Sequence, residues 1–177
     1  MINKEMSDAL NHQVNEELYS AYIYASMVTY FEEANLKGFA HWMRLQTKEE
    51  LAHAQKIVEY LFDRGARVKM EAIEEPPSDW DSPLAVFEAA YKHECHISDC
   101  INKLSSLAIK LDDHATRVFL QWFVEEQVEE EANADDMVQQ LKLVEASRGG
   151  LFMLDKQAAG RTEGAEEGDR KSTRLNS

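Results

Sequence analysis

The chain has 177 residues, enough for one domain at about 100–200 residues per domain, and its 44% hydrophobic content can build a core. Seven glycines and three prolines supply little turn material for an all-β fold. Thirty-three acidic residues against 19 basic ones give a net charge of −14, which argues against a nucleic-acid backbone or an anionic membrane as main partner and leaves cations as the natural class.

From about Asn3 to Glu33, Leu10, Val14, Glu17, Ala21, Tyr24, Val28 and Phe31 fall on one helical stripe. Asn35-Leu36-Lys37-Gly38 makes a short turn, and a second stripe carries Phe39, Met43, Gln46, Glu50, His53, Ile57 and Tyr60. Gly65 is the expected stop. The stretch from Gly65 to Ser82 ends in a region around Pro76 and Pro77 that cannot be regular helix. Extended at about 3.3 Å per residue it spans roughly 60 Å, whereas a helix of ~28 residues is about 42 Å long. The link can therefore run the length of a bundle, start the next helix at the far end and let both halves run in the same sense. Ser82-Pro83 opens a third helix with the stripe Phe87, Ala90, Glu94, Ile97, Ile101, Leu104, Ala108 and Leu111. After the Asp112-Asp113 turn, a fourth stripe reads Leu120, Phe123, Gln127, Glu130, Ala134, Met137, Leu141 and Val144. Gly149-Gly150 is expected to end that helix, and Leu151–Ala159 to form a short fifth one. The expected fold is all-α: a four-helix bundle with a long crossover between helices two and three and a short C-terminal fifth helix. Residues 1–160 make up that domain, and 161–177 read as a disordered tail whose last six residues look cloning-derived.

The thiols Cys95 and Cys100, five residues apart, face different sides of a helix and read as small apolar residues of a reducing compartment. The N-terminal residues lack an apolar leader, and no stretch approaches the ~20 apolar residues of a membrane span, so a cytoplasmic location is expected.

Each of the four stripes carries polar residues near its middle: Glu17 on the first, Gln46, Glu50 and His53 on the second, Glu94 on the third, Gln127 and Glu130 on the fourth. Glu17 to Glu50 and Glu94 to Gln127 are both 33 residues, and Glu50 to His53 and Gln127 to Glu130 are both three, so the halves repeat at an offset of 77. In an antiparallel hairpin, residues equidistant from the turn share a level. Glu17 and His53 centre on position 35, and Glu94 and Glu130 centre on 112, each in its turn. Four carboxylates then converge inside the bundle with no Lys or Arg on any stripe at that height. They must protonate or bind cations, and two divalent ions balance them. Oxygen donors with one imidazole and no thiolate suit iron or manganese rather than structural zinc or a calcium loop.

These residues, with Asn15-Glu16-Glu17-Leu18-Tyr19-Ser20-Ala21-Tyr22, Glu49-Glu50-Leu51-Ala52-His53, Tyr91-Lys92-His93-Glu94 and Phe119-Leu120-Gln121-Trp122-Phe123-Val124-Glu125-Glu126-Gln127, resemble the haem-free bacterial and archaeal ferritins over about Asn3–Ala159. The second copy of the motif is Gln127-x-x-Glu130, where the generic carboxylate bundle has Glu-x-x-His. The resemblance implies that Glu17, Glu50, His53, Glu94 and Glu130, with Gln127 beside them, form a di-iron ferroxidase centre. Two Fe(II) ions bind there, reduce O2 or hydrogen peroxide, and leave as Fe(III) for a mineral inside a hollow homo-oligomeric shell of about 24 subunits. It further implies that Glu49, Glu126 and Glu129, with Glu130 as a bridge, form a third iron site towards the cavity; a solvated acidic face is the alternative. Tyr24, two turns after Glu17, either serves the site as a hydrogen-bond or electron donor or simply packs. Trp122 is read as packing, and His12, His41, His93, His96 and His114, off the seams, as surface or interface residues. Leu51 stands where bacterioferritins place a haem-ligating methionine, so no haem is expected there.

Rival readings are a rubrerythrin-like peroxide reductase, which would need a Cys-x-x-Cys module, and a non-enzymatic interaction bundle, which would keep its seams apolar. A DNA-protecting mini-ferritin would place its metal between subunits.

Overall fold

The computed structural model describes residues 2–144 and 146–162. Five helices follow in order: α1 (Lys4–Glu33), α2 (Lys37–Asp63), α3 (Pro83–Lys110), α4 (His114–Val144) and α5 (Arg148–Ala158). Among the described residues no helix is long and apolar enough to cross a membrane. The section of the expected tail from residue 163 onward lies outside the described residues.

Helix ends follow local chemistry. Asn3 and Ser82 cap α1 and α3 by accepting from the Glu5 and Ala85 amides at 2.8 and 3.1 Å, and Pro83 occupies the first turn. Three helices end in a left-handed residue: Asn35 (φ 57°), Gly65 (φ 69°) and Asp112 (φ 51°). In each case the next amide reaches back to a carbonyl one turn earlier: Leu36 to Phe31, Ala66 to Leu61 and Asp113 to Ala108. Asn35 and Asp112 are themselves 77 residues apart, so the internal repeat extends from the polar seams to the backbone of the turns.

α1 packs on α2 and α3, and α3 packs on α4. The buried apolar residues form two separate clusters. One joins Met6, Leu10 and Val14 of α1 to Ile57 and Leu61 of α2, Ile97–Ala108 of α3 and Leu120 and Phe123 of α4. The other joins Ile23–Phe31, Phe39–Met43, Val86–Ala90 and Met137–Leu141, with Leu154 and Ala158 of α5. The N-terminal half of α1 thus meets the C-terminal half of α3, and the two hairpins run in opposite senses, not the same sense. The link explains the inversion. It leaves the end of α2 and follows α1, with Lys69 N donating to Asn11 (2.7 Å), Ser26 to the Pro77 carbonyl (2.6 Å) and Trp80 packing on Tyr30. α3 therefore starts where α2 started and runs parallel to it. The polar residues lie near mid-helix, so inversion leaves them at one level.

The expected break at Gly149-Gly150 is displaced. α4 ends at Val144, Ser147 caps α5 by accepting from the Gly150 amide (3.0 Å), and both glycines lie in the first turn of α5. Gly150 is needed there because a Cβ would meet the Val144 side chain at 2.8 Å. α5 lies on α2 and α4 and supplies the cap that Leu36 cannot, with Asp155 Oδ1 accepting from the Phe39 amide at 2.9 Å. Gly38 permits this approach, since a Cβ would fall 1.6 Å from the Asp155 carbonyl oxygen. Gly38→Ala is expected to destabilise the fold by about 1–3 kcal/mol through overpacking, with accelerated amide exchange concentrated in α5. Unchanged exchange in α5 would show that this contact does not hold it.

Candidate metal centre

Between the two apolar clusters lies a layer of buried polar side chains: Gln13, Glu17 and Ser20 from α1, Gln46, Glu50 and His53 from α2, His93 and Glu94 from α3, Gln127 and Glu130 from α4. Glu17, Glu50 and His53 each offer one ligand atom to a cluster whose members lie within 4.8 Å of one another. His53 Nδ1 is 3.2 Å from Glu50 Oε2, and its ring is held edge-on by Trp122 and Phe123 at 5.3 and 5.9 Å. Gln13, one turn before Glu17, donates to Glu17 Oε1 at 3.0 Å, while Glu17 Oε2 is buried with no hydrogen-bond partner. Glu94 is anchored from two sides, by the Tyr24 hydroxyl on Oε1 and by Gln127 Nε2 on Oε2 (3.1 Å). Gln46 Nε2 donates to Glu130 Oε2 at 2.9 Å.

Among the described residues no lysine or arginine pairs with Glu17, Glu50, Glu94 or Glu130. Burial, reinforced by the Glu50 charge, pushes the Glu17 carboxyl up to about 8. Burial raises Glu50 and Glu130 well above the usual carboxylate range, with Glu94 adding to both. It raises Glu94 too, against the opposing pull of the Tyr24 and Gln127 donors. The Tyr24 phenol, raised by burial and then by Glu94, Glu50 and Glu130, keeps its proton and its hydrogen bond. Burial thus favours the protonated form of these four carboxyls in the metal-free protein. The orphaned Glu17 oxygen, the single imidazole and the oxygen-rich donors match a hard divalent ion such as Fe(II).

Two residues that the sequence placed elsewhere belong to this layer. His93, expected in a surface or interface role, is only 8% exposed and sits 2.8 Å from the Ser20 hydroxyl. Burial pushes its imidazole down to about 4. Arg161, assigned to the tail, is ordered: it donates to Gln46 Oε1, pairs with Glu49 Oε2 at 3.1 Å and stacks over Trp42 at 4.6 Å. With its oxygen engaged by the guanidinium, Gln46 presents its NH2 to Glu130. No periodicity could signal this, because Arg161 is 115 residues from Gln46 and follows a glycine in a polar run. Gln13 was legible only through its i,i+4 spacing to Glu17. Glu49, Glu126 and Glu129 flank the layer half-buried, outside the Glu17–Glu50–His53 cluster, and each has a partner.

An inverted pair of helical hairpins enclosing a carboxylate-rich centre, with Glu-x-x-His on α2 and Gln-x-x-Glu on α4, defines a ferritin-like four-helix protein. Comparison with known proteins agrees: the ferritin-like domain pattern matches residues 7–144. The bacterial non-heme ferritin of Bacteroides fragilis is 41% identical over 157 residues, covering 89% of this chain and 98% of that protein. That of Staphylococcus saprophyticus is 38% identical over 162 residues, covering 92% and 97%. The open pore ferritin of the hyperthermophilic archaeon Archaeoglobus fulgidus superimposes with a TM-score of 0.90 at 50% identity, covering 92% of this chain and all of that one. The chain belongs to the ferritin family, whose role is iron storage.

The raised Glu17 carboxyl has a thermodynamic consequence. Below the unfolded value of 4.5 the group is protonated in both states and its full contribution is present; as pH rises through about 8, the folded state must ionise it and that contribution is lost. Metal-free protein should lose up to about 1.4 kcal/mol per pH unit from this group across that window, read as a falling urea midpoint. Glu17→Gln should flatten the slope, and equal slopes in the two proteins would contradict the assignment.

Proposed function

We propose that the polar layer is an intrasubunit ferroxidase centre that takes two Fe(II) ions as substrate. Glu17, Glu50 and His53 hold one ion, Glu94 and Glu130 hold the second, and Glu50 lies between them with Gln127 alongside. The observation that carries this reading is four buried carboxylates from four helices with no lysine or arginine counter-ion among the described residues, one of them with an oxygen that no hydrogen-bond donor reaches.

Two Fe(II) ions bring a charge of +4 to four carboxylates that release their protons on binding. Hard oxygen donors favour Fe(III) over Fe(II), so they lower the potential of the bound pair. The pair supplies the two electrons that convert O2 with two protons to hydrogen peroxide, or hydrogen peroxide with two protons to water. Two Fe(III) ions carry +6 against the same four carboxylates. The excess draws in hydroxide and oxide from water, which are the constituents of a ferric mineral. Only one imidazole anchors the pair, which suits a site through which iron passes.

Tyr24 keeps its proton at neutral pH and holds Glu94, so it positions that ligand, and the same hydrogen bond places it to act as an electron donor. Glu49, Glu126, Glu129 and Glu130 form the onward iron site in this reading, and there the Arg161 guanidinium occupies the place of a cation on Glu49. Storage requires an enclosed volume, and therefore a homo-oligomeric shell of many copies. Large exposed apolar side chains support it, including Phe62 (62%) at the end of α2 and Phe152 (63%) and Met153 (65%) on α5.

The test is anaerobic Fe(II) titration followed by aeration with stopped-flow detection of Fe(III). Wild type should bind two ions tightly per chain. Glu50→Gln and His53→Ala should slow initial oxidation by about 100-fold or more, whereas unchanged rates in both would remove the assignment. Arg161→Gln should bind at least one additional Fe(II) weakly per chain, and an unchanged stoichiometry would show that the arginine does not compete with iron at Glu49.

A further inference from the structure

A second convergence of ligand atoms lies on the outer side of α1 and α3, away from the carboxylate layer. Glu16 belongs to α1, and His96 and Cys100 stand one turn apart on α3. One donor atom from each lies within 4.8 Å of the other two. His96 Nε2 is 3.0 Å from Glu16 Oε2, and Cys100 Sγ is 3.7 Å from His96 Nε2. Zinc ligands at about 2.0 Å (N, O) and 2.3 Å (S) in a tetrahedron are separated by about 3.3–3.6 Å. Two of the three separations, 3.0 and 3.7 Å, therefore lie within about 0.3 Å of the edges of such a site before any ion enters, and the third is within 4.8 Å. His12, one turn before Glu16, places Nε2 3.3 Å from the other carboxylate oxygen and fixes the direction in which Oε2 points.

Chemically, the donors differ from those of the buried centre. A thiolate, an imidazole and one carboxylate favour a zinc-class ion over Fe(II), both by softness and by the affinity order of divalent metals. Buried Ser20 and His93 stand between this cluster and the interior, with the His93 and His96 rings 6.1 Å apart. His96 and Cys100 were expected to be, respectively, a surface or interface residue and a small apolar thiol, because periodicity within α3 cannot show what α1 brings opposite them.

We propose that Glu16, His96 and Cys100, oriented by His12, bind one zinc-class divalent ion that staples the first hairpin to the second. α1 and α3 belong to different hairpins, so an ion bridging them adds a cross-link between residues 80 positions apart in the chain. The three protein donors leave the fourth position to water. The Cys100 proton is displaced as the metal binds, and it leaves to solvent.

The test uses metal-free full-length protein titrated with Co(II), whose tetrahedral thiolate complexes show a near-ultraviolet charge-transfer band and intense visible bands. Wild type should take up one such ion per chain, displaceable by Zn(II). The bands should persist in Cys95→Ser and in Glu50→Gln and disappear in Cys100→Ser. His12→Ala should weaken Co(II) binding by about 10–100-fold while leaving the rate of Fe(II) oxidation unchanged. Absence of the thiolate band in wild type, its survival in Cys100→Ser, or its loss in Glu50→Gln would each overturn the proposal. The last result would show that the thiolate site does not form independently of the buried centre, and it would leave the iron reading to its own Fe(II) titration.

Discussion

Burying negative charge without positive charge is the constraint around which the molecule is arranged. Glu17, Glu50, Glu94 and Glu130 are each no more than 3% exposed, and among the described residues the only basic side chain bonded to any of them is the His53 imidazole, since Arg161 engages Gln46 and Glu49 instead. An uncompensated buried carboxylate is destabilising by several kcal/mol even after relaxation, so the metal-free centre survives by holding protons. Amide and phenol donors contribute the rest: Gln13 on Glu17, Tyr24 and Gln127 on Glu94, Gln46 on Glu130. Those donors fix carboxylate directions, yet they leave Glu17 Oε2 unsatisfied. On the proposed reading, a divalent cation would relieve this unmet demand.

The fold tolerates this layer because the apolar core is divided around it. One cluster closes each side, and the ring packing is dense: Phe31, Phe39 and Phe87 meet at 5.3–5.7 Å in one cluster, and Tyr60 stacks on Phe119 at 3.8 Å in the other. Arg64 strengthens the second end by pairing through both guanidinium nitrogens with Asp113 at 3.1 Å, tying the end of α2 to the start of α4. Hydrophobic burial on both sides of the layer supplies the stability that the centre gives up, in keeping with the general cost of functional sites.

Most of the bundle was legible because its signals are local. Seam spacing, the Ser82-Pro83 start and the turns at positions 35 and 112 depend on residues within one hairpin. Level matching between Glu17 and His53, and between Glu94 and Glu130, follows from counting outward from each turn. The relative sense of the hairpins was not legible, since the repeat at 77 residues is equally compatible with parallel and inverted halves. Only the path of the link along α1 decides between them. Arg161 and the Glu16–His96–Cys100 cluster escaped for the same reason: each depends on elements brought together across 80 or more residues, where periodicity carries no information. The end of α4 was misplaced because two glycines read as a helix stop, whereas tight packing on Val144 requires one of them inside α5.

Proton release on metal binding is the decisive observable. Anaerobic addition of two equivalents of Fe(II) to weakly buffered, metal-free protein at neutral pH should expel about two to four protons per chain as the ions replace them on the buried carboxyls. Tight binding of two ions with no proton release would mean that the carboxylates were already ionised and compensated, which contradicts a centre that stores protons in place of cations.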